Sequence, residues 1–349
     1  LSKEEFHSVP VPMAGRRGFA QPAWVWSGFG IAWVCLLIGA EAQRGLGTTN
    51  ALIAILLGNV ILFCYSAGVG YACGKWGTNF PLTVKYVFGE YGAKVPILIL
   101  AFLVTGWFAF QAWLTTDVLR VAFGFDKVTF AVLALIIGFW YAAAVLFGFA
   151  WMANVSKFCL PVMIIFALYY LVTRVLPAGG ALFTTAATGK VTFMTAVAMA
   201  WSSFVVSGTM TGDIVRYTKT GKQAVWVTAV AFIFSNTPFM MMGALISAAM
   251  KDPTITYFLD SRALGVMVPL LFVAFLSNWT TCDACLYNAS MGFTNAFKGW
   301  TYRKASIFGC IIGLIAAATG LVSDMVPWLL LLGLLVPPIG GVIIADYYF

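Results

Sequence analysis

The sequence predicts an all-helical, polytopic membrane protein of ten spans, arranged as two five-span halves of opposite orientation. Three observations lead there. Hydrophobic residues fill 62% of the 349 positions and charged residues only 9%, against roughly 25% charged in a soluble domain. Apolar runs recur from about residue 22 to the last residue, each near the ~20 residues that cross a bilayer as a helix. The first and sixth of these runs are interrupted by small polar residues where the others are continuous.

Residues 1–21 precede the first run and include LSKEEFHSVPVPMAGRRGF, a polar stretch with acids that lacks the basic start and apolar core of a secretory signal. A cytoplasmic N-terminal segment is expected. The first span, 22–43, holds Ser27-Gly28-Phe29-Gly30 at its centre, where small residues allow the helix to unwind. Spans at 50–73, 95–119, 128–149 and 152–175 read as continuous and complete a first repeat over 22–175. Residues 176–190 form the expected extracellular loop. The second repeat, 191–349, opens with a span at 191–212 that carries Ser202-Ser203 and Ser207-Gly208-Thr209. It continues at 223–250, 264–290, 304–323 and 325–349, the last with Pro337-Pro338 and Gly340-Gly341 as a kink or hinge.

Five is an odd number, so the second half must run inverted relative to the first. Broken helices at equivalent places in two inverted halves are the pattern of secondary transporters, where they hold substrate and coupling ion near the midplane. Glycine also serves simply to pack membrane helices closely, and the pattern alone leaves both readings open.

The net charge is +8, from 20 Lys+Arg against 12 Asp+Glu. The basic residues lie in short loops and form no patch for nucleic acid. With the N-terminus inside, 13 of them face the cytoplasm and 7 the outside, the bias that orients membrane proteins. The sequence holds no GxxxxGK[ST] phosphate loop, so a nucleotide-driven pump would need a separate subunit, and its one histidine, His7, sits in the N-terminal segment, which excludes His-based zinc chemistry and Ser-His triads. Seven cysteines, an odd number, fall mostly in apolar runs, and Cys282 and Cys285 read as packing thiols rather than a redox pair.

Polar groups at membrane depth are costly and mark function. In the third span Trp107 and Gln111 lie one turn apart on one face. A flat aromatic beside an amide suits a planar heterocycle, stacked by one and read at its edge by the other; an indole packed in the bundle and an amide bonded to a neighbouring helix is the other reading. In the eighth span Ser277-Asn278-Trp279-Thr280-Thr281-Cys282-Asp283 is too polar to face lipid. Its adjacent Thr hydroxyls and the Ser277 carbonyl could bind a hard monovalent cation, with carbonyls such as those of Gly28 and Ile31 added by the unwound first span. Thr hydroxyls also bond their own helix. Asp283 reads equally as a coupling group or a helix tie, and Glu41 and Asp117 as solvated at span ends.

These residues, together with PVP and RRG over Pro10 to Gly18, LLGN at Leu56 to Asn59, GWF at Gly106 to Phe108, SGTMTGDIVRY at Ser207 to Tyr217, NWTTCDACLY at Asn278 to Tyr287 and PPIGGVIIADY at Pro337 to Tyr347, carry a resemblance. The chain resembles the purine/cytosine permeases of the nucleobase:cation symporter family 1, most closely the bacterial members that carry cytosine. The resemblance implies a LeuT-type five-plus-five inverted repeat, with the family's usual helices 11 and 12 absent here. It implies import of a nucleobase by symport through alternating access, in the bacterial inner membrane, by a monomer without a cofactor. Trp107 matches the stacking aromatic and Phe204 the aromatic on the ring's other side. Gln111, Ser207, Cys282 and Ala32 complete the implied substrate-binding set. Thr280 and Thr281 match hydroxyl ligands and Gly28, Ile31 and Ser277 carbonyl ligands of a Na+ site, which favours Na+ over H+.

Three positions depart from the family's cytosine-carrying branch. Cys282 stands for an Asn, Val104 for a Gln and Val206 for a Ser, so contacts that would discriminate cytosine are missing. A purine, hydroxymethylpyrimidine, hydantoin or allantoin, coupled to H+, is the alternative within this class. An intramembrane enzyme is the rival from another class, disfavoured by the absence of a His partner or paired aspartates. The chain starts without Met and stops on an apolar helix, so truncation at one or both ends is expected.

Overall fold

The computed structural model describes residues 6–250 and 264–349. Lys3, Lys251 and Arg262, which entered the charge bias, lie outside the described residues.

In hydrocarbon every backbone N–H and C=O must be bonded within the chain, so apolar runs become helices. The first span forms α1 (Ala20–Gly30) and α2 (Trp33–Leu46), bent by 48° at Ile31 and Ala32, whose backbones leave the helical region. The second is α3 (Thr48–Trp76). A helix absent from the sequence reading, α4 (Phe80–Gly92), follows, started by Pro81 and capped by the Asn79 side chain, which accepts from Leu82 N at 2.9 Å. Then come α5 (Lys94–Phe123), α6 (Lys127–Leu146), started by the Asp126 cap, and α7 (Phe149–Tyr170). A π-helical turn at Leu171–Val175 carries the fifth span into α8 (Leu176–Ala178), and a 3-10 turn follows at Gly179–Phe183, so part of the stretch read as an outer loop is helical.

The sixth span is α9 (Phe193–Ser202), α10 (Val205–Thr209) and α11 (Gly212–Val215), interrupted at Ser203 and Phe204. The seventh is α12 (Gly221–Ala229), a π-helical stretch at Val230–Asn236, and α13 (Thr237–Met250). The eighth, α14 (Leu264–Ala296), runs 33 residues, longer than the sequence reading gave it. After α15 (Tyr302–Thr319), the tenth span divides into α16 (Met325–Leu335) and α17 (Pro337–Tyr348) at the Pro337-Pro338 kink.

The packing follows the inverted repeat. The third span lies along the eighth (α5 on α14) and the fourth along the ninth (α6 on α15). These four helices form a scaffold. The first span packs on the seventh (α2 on α13) and the second on the sixth (α3 on α9), which makes a second bundle. The fifth span leans on the first and the eighth (α7 on α1 and α14). Its counterpart, the tenth, leans on the sixth through α16 on α9, and on the third where Trp328 covers Gly106. Exchanging each span with the one five later thus reproduces the contacts. The closest approach in the bundle is α2 on α13, where Gly39 faces the Met240 carbonyl and Gly243 the Leu36 carbonyl, with no room for a Cβ on either.

Candidate functional site

The break in the first span faces the polar run of α14. Thr280 Oγ1 donates to the Gly28 carbonyl at 2.8 Å, and Ser277 Oγ donates to the Ile31 carbonyl at 2.7 Å. Thr280 and Thr281 hydroxyls also lie 3.0 and 3.2 Å from the Ser277 carbonyl. The five residues expected to hold a cation are therefore drawn together in one oxygen cluster. One contact was not anticipated: Thr281 Oγ1 reaches the Phe29 carbonyl at 3.4 Å.

These carbonyls are available because the helix ends at Ile31. Gly28 packs against Ser156 of α7, and Gly30 against the Ala231 carbonyl in the π-helical stretch, each too closely for a side chain. Both remain helical, and the chain turns out of the helix just after them, at Ile31. Helix termini leave carbonyls without intrahelical partners, and here hydroxyls of α14 take them up.

Trp107 and Phe204 are both buried, on α5 and in the break between α9 and α10. Trp107 stands edge-on to Phe110 at 5.6 Å, and Phe204 edge-on to Phe29 at 4.8 Å and tilted to Phe232 at 6.0 Å. The two rings do not touch each other. Trp107 Nε1 and Gln111 Oε1 are buried without a hydrogen-bond partner, as are several other buried polar atoms of the described residues. Ser207 and Ala32 are buried at the two breaks, and the Cys282 thiol points to the Phe108 carbonyl at 3.6 Å. Cys282 and Cys285 are both free and buried.

The sequence reading missed Phe29 and Phe232, which the apolar pattern shows only as core. It also missed the amides that brace the helices. In the scaffold, Asn278 Nδ2 donates to Thr115 Oγ1 at 2.7 Å, Thr115 meets the Tyr141 hydroxyl at 3.0 Å, and Tyr141 donates to the Phe275 carbonyl at 2.9 Å. In the bundle, Asn236 Nδ2 donates to Asn59 Oδ1 at 2.7 Å, Ser247 to Gln43 Oε1 at 2.9 Å, and Trp26 Nε1 to Thr211 Oγ1 at 3.1 Å. Each body is thus tied internally.

Bonds that cross between the two bodies cluster at two levels. One is the oxygen cluster just described. The other lies at the end of the molecule that holds the N-terminal segment, where Arg216 Nη2 donates to the Tyr287 hydroxyl at 2.9 Å. At the same end Arg16 ties the N-terminal segment to the bundle, donating to the Gly74, Lys75 and Thr218 carbonyls at 2.8, 3.2 and 3.3 Å, and Arg17 lies over the Phe149 and Tyr217 rings. His7 stacks on Tyr302 at 4.4 Å, and its carbonyl accepts from Asn79 and Asn295. Burial first, and then the Arg216 charge, push the His7 imidazole down to about 4. The polar N-terminal segment thus packs over this end of the molecule.

Asp283 is 1% exposed, and neither carboxyl oxygen has a hydrogen-bond partner. Glu41 and Asp117 lie at helix ends and pair with Arg44 and Arg120.

The sequence profile of a family described as permeases for cytosine/purines, uracil, thiamine and allantoin matches residues 10–349. The cytosine permease of Escherichia coli (strain K12) is 30% identical over 344 residues, which cover 98% of this chain and 80% of that protein. The hydantoin permease of Microbacterium maritypicum is 22% identical over 355 residues, covering 93% of this chain and 72% of the relative. Among solved structures, a nucleobase-cation-symport-1 family transporter in a closed conformation with bromovinylhydantoin bound superposes with a TM-score of 0.79 at 20% identity, covering 97% of this chain and 80% of that one. A substrate-bound, Na+-coupled sialic acid symporter gives a TM-score of 0.69 at 14% identity, covering 97% and 81%. These two structures bear on the fold.

Proposed function

The chain belongs to the family of permeases for cytosine/purines, uracil, thiamine and allantoin, and from that membership we propose that it imports a planar nucleobase-like ring in symport with Na+ by alternating access. It is an integral membrane nucleobase permease and not an enzyme.

One observation carries the Na+ part: the hydroxyls of Ser277, Thr280 and Thr281 meet the carbonyls freed at the break in the first span. Hard cations take oxygen ligands. A hydroxyl that donates to a carbonyl still has lone pairs to offer a cation, so Gly28, Ile31, Ser277, Thr280 and Thr281 form a candidate ligand set. Na+ there would replace hydroxyl-to-carbonyl bonds with ion contacts from both bodies and favour the state in which α1 and α14 are held together. The ring would bind between Trp107 and Phe204, with Gln111 Oε1 accepting from one of its N–H groups and Ser207, Cys282 and Ala32 shaping the remaining walls. Both ligands then stabilise one arrangement of bundle against scaffold, which is coupling in thermodynamic terms.

The charge bias supports placing the N-terminal segment at the cytoplasmic face of the plasma membrane. On that orientation the segment covers the inner end, and inward opening requires Arg216 to release the Tyr287 hydroxyl.

A second reading, H+ coupling, rests on Asp283. It is the buried carboxyl of the eighth span, beside the oxygen cluster's Thr280 and Thr281 in sequence.

Thermal-shift titration of purified protein with cytosine, purines, uracil, hydantoin and allantoin, each with and without Na+, tests the proposal. Na+ should raise the affinity for the cognate ring, and the ring should raise the affinity for Na+ by the same factor. Equal ring affinity in Na+ and in choline would remove the Na+ part.

A further inference from the structure

The transport reading leaves unused a cavity of about 530 Å³ on the flank of the bundle. Its walls come from α1, from α7, from the π-helical stretch of the seventh span and from the start of α13. That volume falls within the roughly 300–1,000 Å³ of small-molecule sites. The shape follows from local sequence. Ala20, Ala23 and Ala167 leave space where larger residues would fill it, and the π-helical stretch places Val230, Phe234 and Ser235 on its wall. Such π segments inside α-helices recur at functional sites.

The chemistry of the walls selects the occupant. Ser27 and Ser235 supply the hydroxyls of an otherwise apolar lining, so the cavity is no route for a hydrated cation to the neighbouring oxygen cluster. Trp24, Ile164, Leu168 and Phe234 at its rim are large, apolar and exposed. They lie on membrane spans and are continuous with the lipid-facing surface that Phe158, Ile165 and Trp226 extend. Hydrocarbon therefore meets this opening directly, and walls facing an empty void would forfeit their dispersion contacts.

We propose that this cavity is a lipid site, filled by one acyl chain of a bilayer phospholipid that enters from the membrane and wedges between α1, α7 and the seventh span. The position gives it a regulatory consequence, which rests on the transport reading above. Ile31 lines the cavity, and its carbonyl accepts from Ser277 Oγ at 2.7 Å in the oxygen cluster. The same residue is the bend between α1 and α2. A chain seated there props α1 against α14, stabilises the closed cluster and slows the movement of α1 that inward opening requires. Exit of the chain frees that movement.

The test uses the full chain in nanodiscs of phosphatidylcholine carrying a photoactivatable diazirine in mid-acyl chain, with crosslinks mapped by mass spectrometry. Met163, Ala167 and Met242 should label several-fold more than Ile136 and Phe139, which face lipid on α6 outside the cavity. Ala167→Phe and, separately, Ala23→Phe should fill the space and remove the excess labelling of Met163 and Met242 while leaving Ile136 unchanged. Size-exclusion profiles of the variants establish that they fold, and Ala167, nearer the surface, is the milder change. Even labelling across cavity and control residues overturns the site, as does excess labelling that survives Ala167→Phe. Labelling does not depend on transport, so a failure of Na+-driven uptake with the labelling pattern intact would overturn the transport reading and leave the lipid site standing. Where uptake is Na+-driven, Ala167→Phe should change its rate while the ring's affinity is kept; an unchanged rate overturns the regulatory consequence.

Discussion

Replacing Thr280 with Val keeps the side chain's shape and removes its hydroxyl. The hydroxyl bonds the Gly28 carbonyl at 2.8 Å, which joins α14 directly to the broken first span, and the Ser277 carbonyl of its own helix at 3.0 Å. Without Na+, the loss is that of an ordinary buried hydrogen bond, about 1 kcal/mol net. With Na+, the variant also lacks one ligand oxygen. A bond to a charged group contributes about 1.5–3 kcal/mol, and at about 1.4 kcal/mol per decade the Na+ concentration for half-saturation should rise roughly 10- to 150-fold. The assay is equilibrium binding of labelled ring to purified protein over a Na+ titration in choline. Ring affinity at saturating Na+ should stay near that of the parent, because Thr280 is not among the residues placed at the ring. Thr280→Ser keeps the oxygen and should keep the Na+ dependence. An unchanged half-saturation in Thr280→Val would refute the ligand assignment.

Other substitutions probe the remaining parts. Trp107→Ala removes the proposed stacking surface, at about 1–3 kcal/mol per stacked ring, and should weaken ring binding roughly 5- to 150-fold while Na+ alone still shifts the melting temperature; intact ring affinity would rule out stacking there. Gly243→Ala places a methyl group against the Leu36 backbone and should destabilise the fold by about 1–3 kcal/mol, seen as a lower unfolding temperature; Gly180→Ala, with open space around it, should not. The docked N-terminal segment should be sensitive to pH. His7 binds its proton more weakly when docked, down at about 4, than in the free segment at about 6.5. Docking is therefore at full strength above pH ~6.5 and weakens as pH falls toward 4, by at most about 3 kcal/mol. Limited proteolysis of residues 6–19 should accelerate over that window, and His7→Gln should abolish the dependence. Arg16→Ala, which loses its carbonyl contacts, should raise cleavage at every pH.

The spans were legible because membrane helices announce themselves by composition, and the two breaks because small polar residues stand out against it. The glycines of the first break, however, were read as points of unwinding. They are points of close approach, to Ser156 and the Ala231 carbonyl, and the chain leaves the helix only at Ile31. The π-helical stretches at Leu171–Val175 and Val230–Asn236 had no signal, since an extra residue in a turn leaves an apolar run unchanged. The sequence places Arg16 and Arg17 of the N-terminal segment in the charge bias, and the fold commits them to carbonyls and rings. At the site, the polar run of the eighth span was visible as chemistry from its composition. Which carbonyls it meets depends on the bend of another helix, and the resemblance rather than residue pattern supplied them. Phe29 and Phe232 stayed hidden because an aromatic packed on Phe204 and one elsewhere in the core look alike in sequence.

On the proposed reading, a Na+ gradient drives this permease. Purified protein in proteoliposomes, given an inward Na+ gradient, no pH gradient and a labelled ring that the thermal-shift panel selects, measures this directly. The ring should accumulate transiently above its external concentration, collapse with a Na+ ionophore, and fail to accumulate in Thr280→Val. Uptake that only equilibrates, or that accumulates with an H+ gradient regardless of Na+, would contradict it.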